Sequence, residues 1–533
     1  MHGTERLLHS PAGKQWARIG AFPHHGINVP LFSLRTQQSS GIGEFPDLFP
    51  LIPWCKEIGL DIIQLLPLND TGMETSPYSA LSAFALNPIH LGLAQLPHVT
   101  EYSDLQAMLL DLQALNKTQR VDYAKTHAAK NCFLHKYYNH AAKAMMASSE
   151  CKVFISQNPW LCEYALFKTL KIAHQWQRWE DWEPELRNPT PDEYTKLCEK
   201  FESEIAFHLF VQYLCFQQWR EVKRQAEAHG VFLKGDTPIL INRDSADVWR
   251  HPEFFLLQYS AGAPPDMYSE EGQNWGFPIY NWPAIEKDNY KWWEERLKIA
   301  SSLYDIYRLD HIVGFFRIWA IPLGRMGHEG CFMPEDPSTW IEHGSKIMRM
   351  MVERCPMLPI GEDLGSVPPE VRQRLEELGI CGTKVIRWER KWREDKSFIP
   401  YADYPDASLT TVSTHDSDLL QTWWENEPKN AREFAAFKGW NYTFELSKAH
   451  HREILYDSHH TGSLFHINLL QEYLALIPEM TWPNPEDERI NVPGVISERN
   501  WTYRFRPSVE EIVASEKLRR AMQDVIEGQV KKS

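Results

Sequence analysis

Seven short runs of apolar and β-branched residues, each closing on polar or charged punctuation, recur along this chain with helix-length periodic segments between them. They are PLFSL (30–34), DIIQLLPL (61–68), LKGDTPILIN (233–242), YDIYRLDH (304–311), LPIGEDL (358–364), TKVIRW (383–388) and LTTVSTHD (409–416). The helical segments between them include Pro46–Ile58, Trp292–Ile299 and Pro369–Leu378. Alternation of this kind builds βαβ units and a parallel sheet. Several runs stay apolar through the body and turn charged or hydroxylated only at the C-terminal end, as barrel strands do when they deliver side chains to one face. The pattern predicts an α/β fold, a (β/α)₈ TIM-type barrel, with its eighth strand near Arg489–Val492.

The stretch 101–231 breaks the alternation. Its runs, such as NCFLHKYYNHAAKAMM and EIAFHLFVQYLCFQQWREVKRQA, have helical spacing, so it is read as a helical subdomain inserted after an early strand. Residues 1–100 then carry the N-terminal segment and first strands, and 232–533 the remainder of the barrel. Isolated residues of the insertion, His174 and His208 among them, are read as solvated or satisfied core histidines, because no metal-ligand spacing surrounds them. Residues 258–282 are rich in Gly, Pro, Ser and Asn, which argues against a regular element. Yet they carry Tyr259, Tyr268, Trp275, Phe277, Tyr280 and Trp282, too many aromatics for a merely solvated loop. They are predicted to form a lid, the alternative being an Ω-loop packed on its own side chains.

Charge narrows the partner. A net charge of -15 with no long basic run excludes the Lys/Arg clusters that nucleic acids and anionic membranes reward. Nine cysteines without a C-x-x-C spacing fit neither a disulfide framework nor a zinc site and point to a reduced, cytoplasmic setting. No stretch has the apolar core of a signal peptide or the length of a membrane span. Twenty-one Trp and 20 Tyr suit a sugar ligand, whose apolar C–H faces lie on aromatic rings, although most of them are assigned to the core.

Three carboxylates stand at strand ends: Asp310, Glu362 in GEDLG and Asp416 in THDSD. Arg308, two positions before Asp310, shares its strand face and would keep it ionised, though an isolated pair of this kind is more often a plain ion pair. Barrel strand ends converge on one pocket, so distant carboxylates become neighbours. Glycosidic bond cleavage is the chief chemistry that needs such a set without a metal, one carboxylate attacking and a second, protonated, assisting departure. A Mg²⁺-dependent barrel enzyme is the competing reading, weakened by the absence of phosphate-cradling glycines.

The motifs SSGIGEFPDL (39–48), LLPLNDTG (65–72), SPYSALSAFALNP (76–88), WLCEYALFKTLK (160–171), DSADVW (244–249), GQNWGFPIYNW (272–282), YRLDH (307–311), GEDLG (361–365), THDSD (414–418) and RINVPG with Asn500–Trp501 follow one another as in a known family. In these residues the chain resembles the 4-α-glucanotransferases, or amylomaltases, of the α-amylase-related barrel group. The resemblance implies Asp310 as nucleophile, Glu362 as general acid/base and Asp416 as transition-state stabiliser. It further implies Tyr78, Asp244, Trp275, Arg308 and His415 as substrate-binding residues, no metal and no cofactor. The implied partners are maltooligosaccharides, glycogen or other α-1,4-glucans, with glucose as an acceptor. An α-glucan hydrolase and a non-catalytic glucan-binding protein are the alternatives on the same barrel. Where many members read DHFRG, this chain reads DHIVGFFRIW (310–319), which resembles the plant cytosolic disproportionating type and marks this segment as the expected seat of substrate preference.

Overall fold

A computed structural model describes residues 3–265 and 270–528. Eight strands, all parallel, form one sheet: β1 His24–Asn28, β2 Ile62–Gln64, β3 Phe232–Thr237, β4 Ile306–Leu309, β5 Leu358–Gly361, β6 Gly382–Val385, β7 Ser408–Thr411 and β8 Phe465–Leu469. Their order is β5-β4-β3-β2-β1-β8-β7-β6. A bridge from Ile360 to Cys381 joins the outer strands, where the Gly361 N–H donates to the Cys381 carbonyl at 2.8 Å. The sheet thus curls into the expected barrel, and helices such as Leu48–Glu57, Lys291–Leu303, Trp340–Arg354 and Pro369–Leu378 surround it. Gly235 on β3 serves this packing, because a Cβ there would lie 2.3 Å from the Tyr304 ring.

Two strands differ from the sequence reading. PLFSL is not a barrel strand: Pro30 has no N–H for a ladder, and Leu31–Ser33 close into a 3₁₀ turn just past β1. The eighth strand is Phe465–Leu469, buried at every position. Its His466 and Asn468 disguise it in the sequence, but both lie on the outward face, where the Asn468 amide donates to Ser458 Oγ and Tyr473 Oη. Arg489–Val492 is irregular and runs along the mouth of the barrel instead.

Between β2 and β3 the chain passes through a helical array that includes Tyr123–Ala147, Trp160–Ala173 and Glu202–His229. The last of these returns the chain to the barrel and ends at Gly230, whose φ of +64° closes the helix in the left-handed conformation. Its Trp219 is fully buried and donates Nε1–H to the Leu303 carbonyl at 3.0 Å. Truncating such a residue typically costs about 3–5 kcal/mol. No helix among the described residues is long and apolar enough to cross a membrane.

The 258–282 segment is more regular than its composition suggests. Tyr259–Ala263 pairs antiparallel with Ile318–Pro322, which pairs in turn with Cys331–Met333, and Gln273–Asn274 adds to the other edge. Gly262 and the flanking alanines carry weak β propensity. The strand forms because a partner some sixty residues further on supplies the ladder, a long-range term invisible to local reading. Tyr268 lies outside the described residues.

Candidate active site

The C-terminal ends of β4, β5 and β7 bring Asp310, Glu362 and Asp416 to one cavity of about 490 Å³. Arg308 organises the first two. Its Nη1 donates to both oxygens of Asp236 at 3.0 Å, while its Nη2 lies 2.7 Å from Asp310 Oδ1 and 4.0 Å from Glu362 Oε2. The Asp236 side chain is fully buried, so the guanidinium is anchored from below and spends its outer edge on the two carboxylates. Glu362 is fixed separately, through backbone N–H groups of His311 and Leu364, each 3.0 Å from one of its oxygens. His311 adopts φ +42°, a conformation non-glycine residues rarely take, and here it aims that N–H at the acid.

The opposite wall comes from the loop after β2 and the segment after β7. Tyr78 Oη donates to Asp236 Oδ2 at 2.8 Å and meets His415 Nε2 at 3.0 Å; the same nitrogen lies 3.0 Å from Asp416 Oδ2. Asn491 Nδ2 donates to the other Asp416 oxygen at 2.6 Å. The Tyr78 loop is stapled by buried Asp70, which accepts from Tyr164 Oη at 2.6 Å, from Lys168 and from the Gly72 N–H. Both Tyr164 and Lys168 belong to the inserted helix Trp160–Ala173, so the helical array bears directly on the placement of Tyr78.

Electrostatics differ across the cavity. Burial pushes Asp310 up to about 6; Arg308 opposes the rise, while Asp236 and Glu362 add to it. Glu362 also rises through burial, against Arg308 and its two backbone donors. The two carboxyls titrate as a pair. Arg308 stands closer to Asp310, which favours the proton on Glu362 and the charge on Asp310. For Asp416 burial works upward, yet His415 and Asn491 outweigh it and hold the group at about 2. His415 is raised in return: burial lowers it, and the Asp416 charge more than compensates.

Trp275 lines the cavity from the 258–282 segment. Its N–H donates to the Ala261 carbonyl at 2.9 Å, its Nε1 to Gln273 Oε1 at 3.0 Å, and its ring meets His311 edge-on with centroids 5.0 Å apart. Tyr280 and Trp282 pack away from it, against Trp293 on the helix behind. Asp244 is not brought to the cavity: it accepts from Lys171 and from the Trp179 N–H at 3.2 Å, inside the helical array. Its motif partner Asp247 accepts from the Ala83 N–H at 2.8 Å and so supports the Tyr78 loop. The departure after Asp310 also lies elsewhere. Ile312–Phe316 is buried, Ile312 against Gly361 and Phe316 against Gly344, so IVGFF is a packing feature beneath the wall.

Sequence reading missed Asp236 and Asn491. Asp236 was legible, because Lys234 and Asp236 interrupt an otherwise apolar strand candidate on one face. Asn491 was not, since it sat in the segment mistaken for β8.

A closed α/β barrel whose strand ends gather an arginine and three carboxylates over an aromatic-lined cavity defines a barrel enzyme of the glycosidic-bond class. Relatives narrow this further. The model of the 4-alpha-glucanotransferase family matches residues 29–510. The 4-alpha-glucanotransferase of Chlamydia pneumoniae is 44% identical over 530 residues, covering 99% of this chain and 100% of that protein. That of Chlamydia caviae is 45% identical over 521 residues, 97% of each chain. The amylomaltase from Streptococcus agalactiae, solved in complex with acarbose, superposes with a TM-score of 0.81 at 24% identity over 96% of this chain and all of its own. The chain belongs to the 4-α-glucanotransferase family.

Proposed function

We propose that the protein moves α-1,4-linked glucosyl or maltooligosaccharide units between glucans by double displacement with retention. Asp310, ionised beside Arg308, attacks the anomeric carbon of the donor while Glu362 protonates the departing chain. Glu362, now a carboxylate, deprotonates the incoming hydroxyl of an acceptor, and the glycosyl–Asp310 ester is broken as the new bond forms. Asp416, kept charged by His415 and Asn491, binds sugar hydroxyls and favours the oxocarbenium-like transition state. Tyr78 offers its ring to the donor sugar, and Trp275 an apolar platform on the side of the 258–282 segment, where an acceptor displaces water. The observation that carries this reading is the sharing of Arg308 by Asp310 and Glu362 at 2.7 and 4.0 Å within one cavity. Glucose, maltooligosaccharides and glycogen are the proposed acceptors and donors, and the cytoplasm the proposed compartment. Asp244 is assigned a supporting role, outside the sugar's reach. Incubation with maltotriose tests the proposal: glucose plus oligomers longer than the substrate are expected, and a product set of shorter sugars alone would make the protein a hydrolase.

A further inference from the structure

Beneath the carboxylate layer lies a row of polar side chains that the scheme above does not use. Asn28 on β1, Gln64 on β2 and Lys234 on β3 are direct neighbours in register, Asn28 opposite Gln64 and Gln64 opposite Lys234. All three line the catalytic cavity, and none is more than 7% exposed. Barrel interiors at this depth are ordinarily filled by branched apolar residues, so three polar groups in one row need a reason. Their own hydrogen bonds do not supply it. Lys234 Nζ donates to Gln64 Oε1 at 2.8 Å, while Asn28 Oδ1 accepts nothing from the protein. A lysine carries three donors and an amide two donors and an acceptor, so the row retains both donor and acceptor capacity facing the cavity. Lys234 also lies two residues before Asp236 on the same strand face, directly under the pair that anchors Arg308. Burial pushes its ammonium down to about 7, against the pull of Asp236 and with the push of Arg308, so the group holds its charge weakly.

We infer that Asn28, Gln64 and Lys234 form the floor of the donor-sugar subsite, with Lys234 and Asn28 taking hydroxyls of the bound glucosyl unit directly or through one water. A site built to hydrogen-bond hydroxyls leaves its own polar groups unpaired when the ligand lacks them, which makes such a floor a specificity element. The inference rests on the glucan-transfer reading, and the test separates the two. Binding of maltotriose is measured by calorimetry on the Asp310→Asn protein, alone and with Lys234→Met or Asn28→Leu added. Donor KM and kcat are measured on the two variants with Asp310 intact. The floor predicts at least tenfold weaker maltotriose binding and a matching rise in donor KM for Lys234→Met, with a smaller change in kcat. Asn28→Leu should move the same quantities in the same direction and carries the test if Lys234→Met does not fold. Binding and KM within twofold of the parent, with only a lowered melting temperature, would overturn the inference. Absence of maltotriose binding by the Asp310→Asn parent would instead overturn the glucan reading beneath it.

Discussion

The two walls of the cavity each hold a half-buried carboxylate, and the two titrate in opposite directions. On the β4–β5 wall Asp310 is pushed up to about 6; on the β7 wall Asp416 is held at about 2. Burial acts upward on both, so the difference lies in the company each keeps. Asp310 shares one guanidinium with Asp236 and Glu362, three acids on a single cation. Asp416 meets an imidazole, whose Nε2 also contacts Tyr78 Oη, and an amide, with no second carboxylate on either. A shared cation leaves a proton to be exchanged between two carboxyls, as an acid/nucleophile pair requires, whereas partners that face one carboxylate fix a permanent charge.

The most severe break in this comparison is Asp310→Asn. It removes the nucleophile while keeping an Arg308 partner of the same shape, and turnover on maltotriose should fall roughly 10⁴-fold or more. Thermal unfolding should stay near the parent's, since the Arg308–Asp236 anchor remains. Near-parental turnover would remove Asp310 from the role.

A smaller effect sharpens the other wall. In the parent, log kcat/KM should fall as pH drops through about 6, where Asp310 takes up a proton, and fall again on the alkaline side as Glu362 loses its own. His415→Leu withdraws the partner that keeps Asp416 low, so burial raises that group toward the same range. Because a raised carboxylate is protonated earlier as pH falls, the acid limb should steepen from a slope of about one toward two. At neutral pH a loss of about 10- to 100-fold is expected, the worth of one charge-assisted hydrogen bond. An unchanged acid slope would show that Asp416 keeps its charge without the imidazole.

The least costly change tests the Trp275 side of the cavity. Trp275→Ala removes an aromatic platform worth about 0.5–1.5 kcal/mol, so acceptor KM should rise up to about tenfold with kcat for glycosyl-enzyme formation little altered. The ratio of water to sugar attack, read from reducing-end release against oligomer elongation, should rise with it. A change confined to the first step would place Trp275 with the donor instead.

The legible parts of this protein were those written in local chemistry. Strand runs that turn charged at one end gave the barrel, and YRLDH, GEDLG and THDSD gave the carboxylates, because a strand's period of two and its C-terminal charge are properties of neighbouring residues. The β8 strand hid behind His466, whose ring stacks on His25, and Asn468, whose partners Ser458 and Tyr473 lie in the surrounding layer. Asp244 was implied as a sugar ligand by the family resemblance alone, and its side chain pairs with Lys171 in the helical array, a contact that no local pattern announces.

Sequence alone determined the barrel, the helical insertion's place between early strands and the residue types at the strand ends, since each follows from periodicity within a few residues. The tertiary structure decided who partners whom. It put Arg308 between Asp236 and Asp310, brought Asn491 to Asp416 from the rim, and aligned Asn28, Gln64 and Lys234 across three strands. Burial raises Asp310 and Glu362 against Arg308, whereas at Asp416 and His415 the pairing outweighs burial, because a charge responds to neighbours a few ångströms away through space, however distant they are along the chain.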